Sequence, residues 1–391
     1  MSILKNKKLY FAIIILTAFA LMTAGILRDN VVEDFCVFEG EESFDDGSLI
    51  VMNAVSDVTV SGDALYEARL FGVIPIKTVS ANVISSRELV AAGRPFGVKL
   101  YTDGVLVVGL GDVETAEGIV SPAREAGIEV GDVVLSVNGQ KVMTNEDISH
   151  LVNASDGELE FEILRKNETH SLKLKPAFTD SGTKIGMWVR DSTAGIGTIT
   201  FVDKQTGMFG GLGHGICDVD TGEIMPLLHG SVVRAEVNGV IKGKAGSPGE
   251  LTGVINDKEE IGTLLVNSET GVYGTLSDLS GIDTARLYET GSRSSVKTGE
   301  AIIICDVGDG TKEYSVEIEK VYNGTSKTKN MSIKVTDKDL LSKTGGIVQG
   351  MSGSPIIQNG KLIGAVTHVL VNDSERGYAI FIENMLDKAG G

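Results

Sequence analysis

The chain begins with a long uncharged segment and continues as short apolar runs that alternate with polar residues. Residues 5–8, which include three lysines, precede residues 9–27, which carry no charged side chain. As an α-helix at about 1.5 Å per residue, this segment is roughly 28 Å long, close to the thickness of the bilayer's hydrocarbon core. The pattern predicts a transmembrane helix in residues 1–28 with everything after it exported, because a basic flank stays inside. A cleaved signal peptide, whose apolar region is shorter, is the alternative.

The remaining pattern divides into three regions. Residues 29–93 mix acidic clusters with apolar alternation, which predicts strands in a spacer region without assigned chemistry. In residues 94–176, Gly127 ends a short helix, an Asn-Gly pair forms a hairpin turn and Thr144 caps an amphipathic helix, which predicts an α+β domain. Residues 177–391 are short apolar runs broken by glycine-rich turns, which predicts a pair of β-barrels. The predicted fold class is therefore mostly β.

Composition and charge narrow the possible functions. The chain is 42% hydrophobic and contains 49 glycines, so it has enough apolar residues for folded, turn-rich β domains. Its formal net charge of −18 argues against binding to a nucleic-acid backbone, which requires clustered Lys and Arg. The three cysteines, Cys36, Cys217 and Cys305, lack the spacing of a zinc site and cannot all pair within one chain. We therefore predict no nucleic-acid partner, no metal and no cofactor.

A glycine-rich loop near the carboxyl end contains two serines that are candidates for a nucleophile. The segment GGIVQGMSGSP precedes two apolar runs joined by an Asn-Gly pair, which predicts a β-hairpin after the loop. A nucleophilic serine needs small neighbours and backbone N–H groups directed at the developing oxyanion, and Gly350 and Ser352 can supply these donors. The loop resembles the Gly-x-Ser-Gly-x-Pro segment of chymotrypsin-like serine proteases, which selects Ser352 rather than Ser354. A tight turn without catalysis is the alternative.

Of the five histidines, His214 is the best candidate for a general base. The segment GGLGHGICD surrounds it with glycines, so its imidazole has room to reach another loop. Its position before Ser352 in the chain also matches the order found in chymotrypsin-like enzymes. His150 and His170 are predicted to be solvated surface side chains. His368 lies on the strand after the serine, where the resemblance to chymotrypsin-like enzymes places the substrate-pairing edge. The residues alone leave four carboxylates open as the partner of the histidine: Asp218, Asp220, Asp337 and Asp339.

The α+β region resembles the PDZ domains of bacterial exported proteases, most specifically in AGIEVGDVVLSVNGQKV. In such domains a peptide end or an internal strand pairs with a strand edge beside a loop of free backbone N–H groups. The resemblance implies that this peptide-binding edge comprises Phe96, Gly97, Val98, Lys99 and Leu100. The alternative is a module that packs against its neighbour and regulates it without binding a free ligand.

Several motifs together resemble the stage IV sporulation protein B peptidase family of spore-forming bacteria. They are the amino-terminal anchor, the PDZ module, STAGIGTITFVD, GLGHGICD, KGKAGSPGEL and TGGIVQGMSGSPIIQNGKLIGAVTHVLVND. The resemblance implies a chymotrypsin-like peptidase domain in residues 177–391 with a catalytic triad of His214, Asp337 and Ser352. It leaves Asp339 as the substitute for Asp337, and it implies an oxyanion hole formed by Gly350 and Ser352 without any cofactor.

The same resemblance implies a role in signalling between compartments during sporulation. The enzyme would be anchored in the forespore inner membrane with its catalytic part in the intermembrane space. It would cut itself and a regulator of a membrane-embedded metalloprotease that activates a late sigma factor, and its PDZ domain would bind a segment of its own amino-terminal region or of a partner. Two alternatives are a non-catalytic PDZ adaptor on a protease-like barrel and a general quality-control protease.

In chymotrypsin-like enzymes the residue six positions before the serine lies at the bottom of the main specificity pocket. Here that residue is Gly346, which provides no carboxylate that would select Lys or Arg.

Overall fold

The computed structural model describes residues 31, 34–45, 49–166, 168–180, 182–322 and 326–389. Of the residues that the structure describes, 59% lie in strands and 8% in helices, which confirms the prediction of a mostly β fold. The predicted transmembrane helix in residues 1–28 lies outside the described residues. None of the helices within the described ranges has the length and apolar character needed to cross a membrane.

The first described region is a small β-sheet with its own apolar core. Its strands are β1 (Asp34–Phe38), β2 (Ser43–Asp45), β3 (Ile50–Ala54), β4 (Gly62–Leu70) and β5 (Ile74–Ile84), in the order β1-β5-β4-β3-β2. β1 runs parallel to β5, and the other neighbours are antiparallel. Along β4, Ala64, Tyr66, Ala68 and Leu70 are buried while intervening residues are more exposed, because successive side chains of a strand point to opposite faces. The predicted spacer region is thus a folded sheet.

The second region, here called the middle module, packs helices against short strands. Its elements are β6 (Glu88–Leu110), β7 (Val113–Thr115), β8 (Gly118–Val120), α1 (Pro122–Glu125), β9 (Val133–Val137), β10 (Gln140–Lys141), α2 (Asn145–Asn153), β11 (Leu159–Arg165), β12 (Glu168–Leu174), β13 (Ala177–Thr179) and β14 (Gly182–Lys184). The predicted cap of α2 is confirmed, because Thr144 Oγ1 accepts a hydrogen bond from the N–H of Asp147. Ile148, Val152 and Phe161 belong to the core of this module.

The remaining strands build the larger β structure. They are β15 (Met187–Val202), β16 (Met208–Gly211), β17 (Leu227–Ile241), β18 (Glu250–Ser268), β19 (Gly271–Leu276), β20 (Leu287–Thr290), β21 (Gly299–Asp306), β22 (Thr311–Val321), β23 (Met331–Val335), β24 (Pro355–Gln358), β25 (Lys361–Leu370) and β26 (Asp373–Phe381), with α3 (Lys338–Thr344) and α4 (Ile382–Leu386). One buried cluster contains Phe96, Phe209 and Leu264, and another contains Ile303 and Ile333. A third buried cluster contains Phe201, Tyr273 and Ile380. The region therefore has a protease-like β fold, and its division into a pair of barrels stays a prediction.

Two long strands are shared by the middle module and the β-barrel region. β6 pairs with β15 from Val90 opposite Val202 to Leu110 opposite Met187. The side chain of Leu100 belongs to a barrel core, whereas that of Val105 belongs to the core of the middle module. A change in the position of either strand therefore affects both regions.

A buried ion pair joins the amino-terminal sheet to the end of the chain. Arg293 Nε lies 2.6 Å from Glu383 Oε2 in α4, and the guanidinium also donates to the carbonyl of Cys36 in β1. The exposed fractions of the two side chains are 4% and 0%. Cys36, Phe38 and residues of α4 share one apolar cluster around this pair. Both charges are removed from water, so the loss of either side chain would leave the other as a buried charge without a counter-ion.

Candidate active site

Two loops from different cores meet in a cleft of about 560 Å³. His214 follows β16 of the first core, and Ser352 precedes β24 of the second. Both side chains line the cleft together with Thr367 and His368 of β25. The described walls are otherwise mainly apolar and include no Asp, Glu, Lys or Arg. The structure therefore brings together the predicted base and the predicted nucleophile in an uncharged environment.

The two candidate serines have different surroundings. Ser352 is half-buried, and its Oγ donates a hydrogen bond of 2.7 Å to the carbonyl of Thr367. Ser354 is fully buried, and its Oγ donates at 2.6 Å to the carbonyl of Met351. Of the two candidate serines, Ser352 lines the cleft and Ser354 does not.

Strand β15 holds the serine loop in place. The N–H of Thr198 donates to the carbonyl of Ser352 at 3.1 Å, and Thr198 Oγ1 donates to the carbonyl of Gly350 at 2.8 Å. Gly353 has a φ of +96°, and a Cβ at this position would lie 2.0 Å from the carbonyl oxygen of Thr198. Only glycine fits here, because the close approach to β15 leaves no space for a side chain.

The predicted oxyanion donors have no acceptor among the residues that the structure describes. The N–H of Met351 donates to the carbonyl of Val348, and the N–H of Gly353 donates to that of Val366. The intervening N–H of Ser352 and the preceding N–H of Gly350 donate to no described group. Both N–H groups are therefore available as donors to a negative charge that develops beside Ser352.

His214 is held by the main chain of its own loop. Its Nδ1 lies 2.9 Å from the carbonyl oxygen of Gly215. Because a carbonyl can only accept, Nδ1 carries the proton and Nε2 keeps a free lone pair. Burial lowers the pKa of His214, although the hydrogen bond to Gly215 opposes this shift. The imidazole is therefore neutral and able to accept a proton at neutral pH.

His368 was expected on the strand that carries the substrate-pairing edge, but its contact with His214 was not predicted from the sequence. Its ring centroid lies 5.1 Å from that of His214. Desolvation, together with the nearby His214 and Lys329, lowers the pKa of His368 to about 4. A neutral His368 does not repel a proton on His214. Its position on the second strand of the hairpin after Ser352 was visible in the sequence, but its proximity to His214 depends on how the loops pack.

The structure corrects the predicted role of Asp337. This residue caps α3, because its Oδ1 accepts a hydrogen bond of 3.0 Å from the N–H of Leu340. Its Oδ2 accepts from the N–H of Ser315 at 3.4 Å. Asp337 neither lines the cleft nor bonds to His214, so the predicted triad is not assembled here.

The other candidate carboxylates are also engaged elsewhere. Asp339 Oδ2 lies 2.6 Å from Lys343 Nζ. Asp218 and Asp220 both pair with Arg190 of β15, and Asp218 is buried. Within the described ranges, His214 has no carboxylate partner, and the carbonyl of Gly215 occupies the position of the orienting acceptor.

The predicted peptide-binding edge at residues 96–100 is wrong. This segment of β6 pairs with β15 on one side, where Val98 faces Gly195. On its other side it pairs with β17, where Val98 faces Val232. Because both edges are already paired, Phe96, Gly97, Val98, Lys99 and Leu100 cannot accept a further strand.

A groove in the middle module lies elsewhere and was missed by the sequence analysis. It has a volume of about 390 Å³ between α2 and the segment 183–189. Its lining includes Ile148 and Val152 of α2 and Met187 and Trp188 of β15. Trp188 is 69% exposed, so a large apolar surface remains open to solvent. The amphipathic pattern of α2 was the available signal, but the opposite wall is formed by a segment that follows the predicted module.

The fold and the cleft define the class of protein: a β-rich serine peptidase with an attached PDZ domain. A family model for SpoIVB peptidase S55 matches residues 181–386, which is more than half of the chain, and a PDZ-domain model matches residues 117–165. The chain belongs to the SpoIVB peptidase S55 family.

Shorter similarities extend to other bacterial proteins. Proteins described as probable periplasmic serine endoprotease DegP-like are 38% identical in Pseudomonas savastanoi pv. phaseolicola and 40% identical in Pseudomonas putida, each over 68 residues. These segments cover 17% of this chain and 14% of each relative. The Rv3671c protease of M. tuberculosis, in its active form, has 16% identity and a TM-score of 0.30, covering 51% of this chain and 75% of that protein. The PDZ domain of an SdrC-like protein from Listeria monocytogenes has 15% identity and a TM-score of 0.18, covering 22% and 87%.

Proposed function

We propose that this protein is a serine endopeptidase in which Ser352 is the nucleophile and His214 is the general base. The observation that carries the proposal is their shared cleft beside the unbonded N–H groups of Gly350 and Ser352. Nucleophile, base and oxyanion donors are the three components that acyl transfer requires. Family membership agrees with this chemistry.

The reaction begins when the hydroxyl of Ser352 turns from the carbonyl of Thr367 towards His214. Nε2 of His214 takes the hydroxyl proton while Oγ bonds to the peptide carbonyl carbon. The N–H groups of Gly350 and Ser352 stabilise the oxyanion, a contribution of about 3 to 4 kcal/mol for each donor. His214 then protonates the leaving amine, and a water molecule releases the acyl group by the reverse sequence. The carbonyl of Gly215 stabilises the transient imidazolium through Nδ1–H.

The cleft also favours a class of substrate. The N–H and C=O groups of Ala194 and Ile196 point to the same side as those of Thr198, away from β6, and have no partner among the described residues. An extended peptide can pair with this free edge of β15. The uncharged walls disfavour Lys, Arg, Asp and Glu side chains, because burial of an unpaired charge is costly. The proposed substrate is an extended segment with small or aliphatic residues near the scissile bond.

We further propose the sporulation role that the family implies. The enzyme is anchored by residues 1–28 in the forespore inner membrane, acts in the intermembrane space and cuts a regulator of a membrane-embedded metalloprotease. The groove of the middle module, beside Trp188, binds a peptide from that partner or from the amino-terminal region of the chain itself. Self-cleavage in residues 29–93 releases the catalytic part. Amino-terminal sequencing of wild-type and Ser352→Ala material tests this: cuts in both would contradict self-processing.

A fluorophosphonate probe tests the catalytic proposal. Wild-type protein should form a covalent adduct, and mass spectrometry of a digest should place it on Ser352. Ser352→Ala should abolish labelling with little change in folding, because a hydroxyl facing the cleft contributes little packing. An adduct on another serine, or undiminished labelling of Ser352→Ala, would overturn the assignment.

A peptide series tests the substrate class. Replacing an aliphatic residue next to the cleaved bond of a substrate peptide by Lys or Asp should reduce kcat/KM.

A further inference from the structure

Strand β15 contacts both loops of the candidate site. Thr198 holds the serine loop, as described above. Eight residues earlier, Arg190 donates through Nη1 to Asp218 Oδ2 and through Nη2 to Asp220 Oδ2, the latter at 2.8 Å. Asp218 and Asp220 belong to the loop that carries His214. Arg190 does not line the cleft, so any effect on catalysis passes through this loop.

Asp218 organises the fold of the His214 loop. Its Oδ1 accepts hydrogen bonds of 3.0 Å from the N–H groups of Asp220 and Thr221. Its own main chain exchanges bonds with Gly222 and Glu223. Burial raises the pKa of this carboxyl, but the hydrogen bonds from Thr221, Asp220 and Arg190 outweigh that effect and keep the pKa below its usual value.

The position of Arg190 links this loop to the middle module. Arg190 lies directly after Met187, Trp188 and Val189, which form one wall of the groove. It pairs in the strand with Leu106, whose neighbours in β6 pack into the core of the middle module. The guanidinium is thus attached to the module, whereas its carboxylate partners are attached to the His214 loop.

We propose that Arg190 is a positioning residue through which the middle module fixes His214 in its catalytic orientation. The proposal rests on the proposed function of His214 as the base. Removal of Arg190 leaves the buried charge of Asp218 without its cation, and such a charge has to be hydrated or protonated. Either outcome rearranges the loop around Asp218. His214 then moves relative to Ser352.

The middle module provides a matched control. Arg165 pairs with the buried Asp132 in the same way that Arg190 pairs with Asp218. The arginine side chains are 24% and 30% exposed, and their aspartates are 1% and 0% exposed. The Arg165 pair lines neither the cleft nor the groove. Arg165→Ala therefore removes a comparable ion pair from a side chain that has no hydrogen bond to the His214 loop.

The experiment uses the full chain and the variants Arg190→Ala, Arg190→Lys and Arg165→Ala. The rate of fluorophosphonate labelling, kcat and KM for a cleaved peptide, and the Tm are measured for each. Arg190→Ala should lower the labelling rate and kcat on the order of 100-fold with little change in KM, as expected for a base misplaced by about 1 Å. Arg190→Lys should recover part of the rate, and Arg165→Ala should label at the wild-type rate even if its Tm falls. Wild-type labelling of Arg190→Ala, or an equal loss in Arg165→Ala, would overturn the proposal.

A second measurement does not depend on catalysis. NMR titration of the histidine ring protons, with the signal of His214 assigned by its loss in His214→Gln, reports the environment of this ring. In Arg190→Ala the pKa of His214 should return towards its ordinary value, because a rearranged loop admits water. An unchanged titration would contradict the inference. If wild-type protein fails to react with the probe, the proposed function fails, but this titration still decides the role of Arg190.

Discussion

Replacement of Asp337 separates its role as a helix cap from the role of an orienting carboxylate. In the structure the side chain bonds to the N–H of Leu340 at the start of α3 and has no bond to His214. Asp337→Ala removes this cap, which costs about 1 kcal/mol of stability. For a folded unit of the size of the peptidase region, this corresponds to a decrease in Tm of roughly 2–4 °C. Asp337→Asn keeps an acceptor for the N–H of Leu340 and gives up only the long bond of 3.4 Å from the N–H of Ser315, and Asn is an equally good capping residue.

The assay compares the Tm with the rate of fluorophosphonate labelling, measured well below the Tm of each variant. Asp337→Asn should match the wild-type labelling rate with a Tm close to that of the wild type, whereas Asp337→Ala should show a lower Tm with an unchanged labelling rate. If Asp337 oriented the imidazole of His214, Asp337→Asn would cost on the order of 10⁴ in rate by favouring the wrong tautomer. A loss of that size with an intact Tm would refute the capping argument and restore the triad.

Three other predictions follow from the environments of single residues. Burial lowers the pKa of His214, so fluorophosphonate labelling should persist as the pH falls to about 6.5, the ordinary pKa of an imidazole, and should decline only at lower pH. A decline that begins above pH 6.5 would contradict the lowered pKa. Gly353→Ala should lower the free energy of unfolding, measured in urea, by about 3 kcal/mol, because the added side chain clashes with β15. Gly360→Ala should lower it by about 1 kcal/mol, because open space surrounds this residue, and equal losses would disprove the close approach of Gly353 to β15. Glu383→Ala should lower the free energy of unfolding by about 3–5 kcal/mol, because it leaves the buried Arg293 without its carboxylate partner. A loss below about 1 kcal/mol would contradict the importance of this ion pair.

The sequence by itself determined the features that depend on local chemistry. Thr144 caps α2, and Asn359 and Gly360 adopt the positive φ angles of a tight hairpin turn, because these residue types satisfy nearby backbone groups or relieve local strain. The resemblance of the loop to the Gly-x-Ser-Gly-x-Pro segment selected Ser352 rather than Ser354, and of these two serines Ser352 lines the cleft. The same local reasoning could have identified the cap formed by Asp337, since an aspartate directly before a helical segment is a typical N-cap.

Only the tertiary structure decided which distant segments meet. Residues 96–100 have the same apolar pattern whether one or both edges of the strand are paired, and it is the pairing with β15 and β17 that closes the predicted peptide-binding edge. His368 approaches His214, and Arg190 reaches Asp218, because separate strands and loops pack together. A linear pattern records which face of an element is apolar, but the partners of a strand edge or a buried charge are selected by the packing of the whole chain.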